Sequence, residues 1–130
     1  MIKTADLIGA ELDWYVAKLE GKPVRIINDM CIYVGPVDTW APPGSLSGIL
    51  AGQKFNPSVR HGIGGLIMDR EFIGTSKWIG QNEWKAWYEN GKSAWGPTRL
   101  VAAMRCYVSN KLGNEVPDIV DDYEVIVQVM

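Results

Sequence analysis

Between Gly96 and Gly113 the chain reads Gly-Pro-Thr-Arg-Leu-Val-Ala-Ala-Met-Arg-Cys-Tyr-Val-Ser-Asn-Lys-Leu-Gly, an amphipathic run closed at both ends by residues that start and stop helices. Thr98 can accept a hydrogen bond from a free amide of the first turn, Pro97 restricts the approach, and Gly113 tolerates the left-handed conformation that ends a helix. Leu100, Met104, Tyr107, Val108 and Leu112 recur at helical spacing and share one face, which predicts a helix docked on a sheet. Arg99, Arg105 and Lys111 fall nearer the wet side. Arg105 reads as part of a solvated face. Arg99 differs, because it lies in the first turn directly after a Trp-Gly-Pro loop, where backbone amides and the helix dipole favour an anion.

The rest of the chain gives an α+β outline, a small mainly antiparallel sheet packed against two amphipathic helices. Leu12, Tyr15, Val16 and Leu19 form an i, i+3, i+4, i+7 stripe that stops at Gly21, so a first helix is expected from about Ala5 to Glu20. Trp14 on it reads as a core anchor, with Asp13 beside it as a candidate functional group. Pro23 to Ile27 and Met30 to Val34 look like strands joined at Asn28-Asp29. Asn90-Gly91, flanked by the aromatic segments around Trp84 and Trp95, is a hairpin signal. Trp84, Ala86 and Tyr88 occupy one face of its first strand and Lys85, Trp87 and Glu89 the other, so at least one tryptophan must leave the core. Tyr123, Val125, Val127 and Val129 alternate with polar neighbours as a closing strand.

From Gly35 to Gly65 the chain carries seven of its 14 glycines and four of its 7 prolines without sustained periodicity, which predicts a long loop or insertion of the kind that binds ligands or covers sites. At 130 residues and 47% hydrophobic content one globular domain with a real core is expected, covering 1–130. No apolar stretch approaches the roughly 20 residues that span a bilayer, and there is no signal-peptide pattern at the N-terminus. Cys31 and Cys106 lie among apolar neighbours and read as buried free thiols.

Three segments resemble one family. The run from Gly96 to Val116, Leu-Asp-Trp-Tyr-Val-Ala-Lys at 12–18, and Gly64-Gly65-Leu66-Ile67-Met68-Asp69-Arg70-Glu71 are similar to the corresponding parts of the phage NinX-like proteins, small accessory proteins of phages and prophages. In that family the last motif runs Gly-Gly-x-Ile-Ile-x-Arg-Glu, and here Met68 replaces an aliphatic residue. Asp38, Thr39 and Trp40 resemble a Ser/Thr-Asp-Trp element that precedes it, with the order altered and a longer loop between. The resemblance implies a phage protein at work in the cytoplasm of the host bacterium, without specifying a chemical activity.

Catalytic patterns are scarce. One histidine and two dispersed cysteines do not supply a zinc ligand set. Gly62-Ile63-Gly64-Gly65 is not followed by the Lys-Ser/Thr of a phosphate loop, and its glycines read as turn residues. Ser58 or Ser76 with His61 and an aspartate could compose a triad on paper, and Asp69/Glu71 or Asp121/Asp122 could bind magnesium, but a solvated surface is the simpler account. Arg70 and Glu71 read either as surface ion-pair partners or, for Arg70, as facing the same crevice as Trp40.

The net charge of −2 conceals an asymmetry: seven basic residues against four acidic from Trp40 to Arg99, and one lysine against five acids from Asn110 onward. That is too mild for a nonspecific binder of DNA or RNA. What stands out is tryptophan, six in all, four of them from Trp78 to Trp95 with Lys85 and Lys92 interleaved and Arg99 close behind. Indoles beside guanidinium groups make a platform for a planar anionic ligand, since stacking contributes about 1 to 3 kcal/mol per base and arginine adds charge-assisted bonds to phosphate. The expectation is therefore a non-enzymatic phage protein, with no metal or cofactor, that sequesters a small nucleotide-like signal of host defence. Asp38, Thr39, Trp40, Arg60, His61, Arg70, Trp95, Thr98 and Arg99 are the candidate ligand contacts. A protein-interaction inhibitor of a host enzyme is the first alternative and a small nucleotide hydrolase or nuclease the second. Unpaired strand edges and surplus aromatics also favour a homo-oligomer.

Overall fold

The computed structural model describes residues 1–34, 53–119 and 123–124. Asp38, Thr39 and Trp40, most of the Gly/Pro-rich segment, Asp121 and Asp122 lie outside the described residues, as does the closing segment after Glu124. In chain order the elements are β1 (Ile2–Lys3), a 3-10 turn (Thr4–Asp6), α1 (Gly9–Glu20), β2 (Val24–Ile27), β3 (Met30–Tyr33), α2 (His61–Glu71), β4 (Gly74–Trp78), β5 (Glu83–Trp87), β6 (Ser93–Gly96), α3 (Arg99–Leu112), β7 (Glu115–Val116) and β8 (Tyr123–Glu124). The class is α+β, and the described residues form three small sheets ordered β1-β7, β3-β2-β8 and β4-β5-β6. All pairings are antiparallel except β8 on β2.

Both hairpins expected from turn chemistry form. Asn28 and Asp29 sit at φ 51° and 63°, the paired left-handed geometry of a two-residue turn, and set Val24 opposite Tyr33 and Ile27 opposite Met30. At the second hairpin only Gly91 has positive φ, +92°, while the Asn90 side chain accepts from the Lys92 amide at 2.9 Å. This is a three-residue loop, with Tyr88 and Lys92 closing it, and not the tight pair that Asn-Gly suggested. The facial division of β5 holds: Ala86 is buried and Trp87 exposed.

α3 is the centre of the molecule. Every residue from Leu100 to Ser109 except Arg105 is buried, because the helix packs on β4, β5 and β6, on α1 and on α2. Thr98 caps it, its hydroxyl accepting from the Val101 amide at 3.2 Å. Gly113 ends it at φ 95° and ψ −170°, a glycine conformation outside the left-handed helical region. Two expectations fail here. Leu112 is 45% exposed because the helix has passed the end of its packing partners. Arg105 is not solvated: Nε donates to the Leu7 carbonyl at 2.7 Å and Nη1 to the Trp95 carbonyl at 2.9 Å, tying the 3-10 segment to β6.

The N-terminal helix starts later than its stripe suggests. Thr4–Asp6 forms a 3-10 turn and Ile8 is extended, so α1 begins at Gly9. Thr4 is held instead by the far end of the chain, its amide donating to the Asn114 carbonyl at 2.8 Å and its hydroxyl to the Gly113 carbonyl at 2.7 Å.

The largest departure from the sequence reading is α2. Residues through Gly65 read as loop, yet the helix begins at His61, making three α-helices among the described residues instead of two. Its glycines disguise it, and one of them is the reason it packs. A Cβ on Gly64 would stand 2.2 Å from the Pro57 carbonyl oxygen and 2.9 Å from Leu100 Cδ2, so only glycine lets this turn lie against the Asn56-Pro57-Ser58 segment and α3. Cys31 and Cys106 are buried free thiols, pushed up to about 12 and about 11 by burial.

Candidate ligand-binding site

Packing through Gly64 brings two helix N-termini to one place. Ser58, Val59, His61, Thr98, Arg99 and Leu100 line a hollow of about 260 Å³. His61 and Arg99 are the first residues of α2 and α3, and Arg60 and Thr98 are the residues just before them. Neither helix has an acidic side chain in its first turn, and no side chain caps α2. Two positive helix ends therefore meet without the carboxylates that commonly offset them.

The side chains at these helix ends differ in their freedom. Arg99 Nε donates to Thr75 Oγ1 at 2.9 Å, which anchors the guanidinium to β4 and leaves its terminal nitrogens without a partner among the described residues. Arg60 and His61 are exposed. Ser58 is only 1% exposed, and its hydroxyl is turned to the Asp13 carboxyl behind this wall.

On the other side of Ser58 lies a smaller hollow of about 130 Å³, lined by residues that include Asp13, Asp29, Cys31, Lys54, Asn56 and Val59. Asp13, 4% exposed, accepts from the Ser58 amide at 2.9 Å. Burial pushes its carboxyl up to about 6, against the pull of the Ser58 amide and hydroxyl, which lower it. Asn56 Oδ1 is a buried side-chain oxygen without a partner among the described residues. Ser58 and His61 do share the first hollow, but Asp13 meets Ser58 and not the imidazole, so the triad drawn from sequence is not assembled around that histidine.

Of the sequence candidates, His61, Thr98 and Arg99 thus converge on this hollow, and Arg60 is the residue just before His61. Arg70 does not join them. It binds Glu20 through two prongs, at 2.8 and 2.7 Å, and reaches Glu71 and the Tyr107 hydroxyl at 3.2 Å each, lining a different hollow with Tyr33 and Phe55. Trp95 lines a third, of about 450 Å³, with Lys3, Thr4, Glu83 and Arg105. It lies on the outer face of β4-β5-β6 with Trp78 and Trp87, edge-on to Trp78 at 5.4 Å, with Lys85 Nζ 5.6 Å from each of the Trp78 and Trp95 rings. Lys54 and Asn56 escaped notice in the sequence, where only the Asn-Pro dipeptide at 56–57 marks a turn.

Fold and site together define a small α+β protein with an anion-favouring hollow between two helix ends. The chain belongs to the phage family described as Bacteriophage P22, NinX, whose profile matches residues 3–111, from β1 to near the end of α3. No curated protein matches it. No helix among the described residues is long and apolar enough to cross a membrane.

Proposed function

We propose that this NinX-family protein is a phage accessory protein that captures a small phosphate-bearing, nucleotide-like molecule in the cytoplasm of the infected bacterium, withdrawing a defence signal from the host without turning it over. The observation that carries the reading is the meeting of the α2 and α3 N-termini around Arg99, whose terminal nitrogens have no partner among the described residues. Helix N-termini bind phosphate through free amides and the dipole, and arginine adds charge-assisted bonds. Arg60, exposed just before α2, adds a second guanidinium at this helix end.

The test is a thermal-shift and calorimetry panel of cyclic and linear nucleotides, followed by heat release and mass spectrometry of the ligand. A rise in Tm, intact recovery of the ligand and a loss of affinity of roughly tenfold or more in Arg99→Ala are expected. A chemically altered product would replace capture with catalysis. No shift with any nucleotide would favour the second reading, a protein that docks on a host enzyme through Trp78 and Trp87, which are 45% and 38% exposed on the outer face of β4-β5-β6.

A further inference from the structure

The hollow beside Asp13 is built for a particular kind of group. Its buried wall presents acceptors: the Asp13 carboxylate, whose Oδ1 takes the Ser58 amide, and Asn56 Oδ1, which takes none. Ser58 and Val59 are walls of both this hollow and the one at the helix ends. An amide oxygen left without a donor in a buried wall beside a carboxylate is costly unless a ligand supplies an N–H group. The two hollows together fall within the roughly 300 to 1,000 Å³ typical of small-molecule sites.

Resting on the phosphate-capture reading above, we propose that the Asp13–Asn56 hollow is a base-recognition subsite that selects guanine, its N1–H and exocyclic N2–H donating to the Asp13 carboxylate, while the phosphate of the same nucleotide lies across Val59 at the α2 and α3 N-termini. Guanine alone among the common bases presents two adjacent donors on its Watson–Crick edge. Adenine and cytosine each put an unprotonated ring nitrogen beside their amino group, which would face the carboxylate lone pairs, and uracil flanks its single N–H with two carbonyls. Asn56 Oδ1 is placed to take the second amino hydrogen. Burial holds the Asp13 carboxyl near 6, so it is ionised at neutral pH.

Calorimetry at pH 7.5 with guanosine monophosphate, adenosine monophosphate, ribose 5-phosphate and unphosphorylated guanosine tests this, on the intact chain and on Asp13→Asn and Arg99→Ala. The expected result is a preference for the guanine over the adenine nucleotide of about tenfold or more, erased in Asp13→Asn with ribose 5-phosphate affinity unchanged, and a uniform weakening of all phosphorylated ligands in Arg99→Ala. Equal affinity for the two nucleotides, or loss of ribose 5-phosphate binding in Asp13→Asn, overturns the base subsite and leaves phosphate capture standing. Guanosine binding that depends on Asp13, with guanosine monophosphate indifferent to Arg99→Ala, upholds the subsite and overturns phosphate capture. Absence of binding by all four overturns both.

Discussion

Arg70 grips Glu20 with both prongs of its guanidinium, Nη1 to Oε1 at 2.8 Å and Nη2 to Oε2 at 2.7 Å, joining two helices 50 residues apart in sequence. The Tyr107 hydroxyl donates to the same carboxylate, so the end of α1, the end of α2 and the middle of α3 meet there. Arg70 also reaches Glu71, which takes bonds from the Tyr88 hydroxyl and Lys111. The cation that sequence reasoning offered to a ligand holds the helices together instead.

This network makes the fold acid-sensitive. Hydrogen bonding from Arg70 lowers the Glu20 pKa below its usual 4.5, and the bond from Tyr107 adds to it, while burial opposes both. The stabilisation is present above the unfolded value of about 4.5 and is lost as pH falls through the lower folded value. Because Arg70 is half exposed, solvent screening keeps the effect modest, and Glu20→Gln should cost about 1 to 2 kcal/mol at pH 7 by urea denaturation. The difference from the parent should shrink steadily below pH 4.5. A gap that stayed constant down to pH 3 would show that the charge is irrelevant.

Asp13 works in the opposite sense. Its folded carboxyl, raised by burial from 3.8 to about 6, binds its proton more tightly than in the unfolded chain, so stability falls as pH rises from about 4 to about 6 and is level above that. Asp13→Asn keeps an oxygen for the Ser58 amide and removes the buried charge. It should stabilise the protein at pH 7 by up to about 3 kcal/mol and by nearly nothing at pH 4. Equal unfolding midpoints for the two proteins at pH 7 would refute this.

Gly64 and Gly65 are neighbours in α2 with opposite expectations. Alanine at 64 would drive its Cβ into the Pro57 carbonyl oxygen, forcing α2 away from α3 at a cost of about 1 to 3 kcal/mol and widening the hollow at their N-termini. At 65 the nearest atom is 4.0 Å away, and alanine should gain up to about 1 kcal/mol from helix propensity. Thermal unfolding of the two variants side by side reads the difference, and a destabilised Gly65→Ala would contradict it.

Much of the architecture was visible in the residues because local chemistry and burial agreed there. Thr98 and Gly113 bracket α3, Asn28-Asp29 fixes one hairpin, and the alternation along β5 sends Trp87 outward while Ala86 goes in. α2 was hidden because three glycines in its first five residues lower helix propensity, and only the spacings Ile63/Ile67 and Gly64/Met68 betray a periodic face. Arg105 misled for a related reason: a charged residue on a helix looks solvated unless the carbonyls it will meet, at Leu7 and Trp95, are known in advance. The candidate site was half legible. Arg99 follows from its place in a first turn, and His61 from its chemistry, but their meeting with Ser58 depends on a helix packing that no single segment encodes.

The bond from the Thr4 hydroxyl to Gly113, and the pairing of Ile2 with Val116, carry a consequence for synthesis on the ribosome. The opening residues must wait for partners that are translated more than a hundred positions later, so this seam cannot close while the chain is still growing through α3. Contacts so distant in sequence are slow to form. A nascent chain stalled after Leu112 would therefore present Ile2 and Thr4 unprotected, open to proteases and chaperones until the final strands emerge.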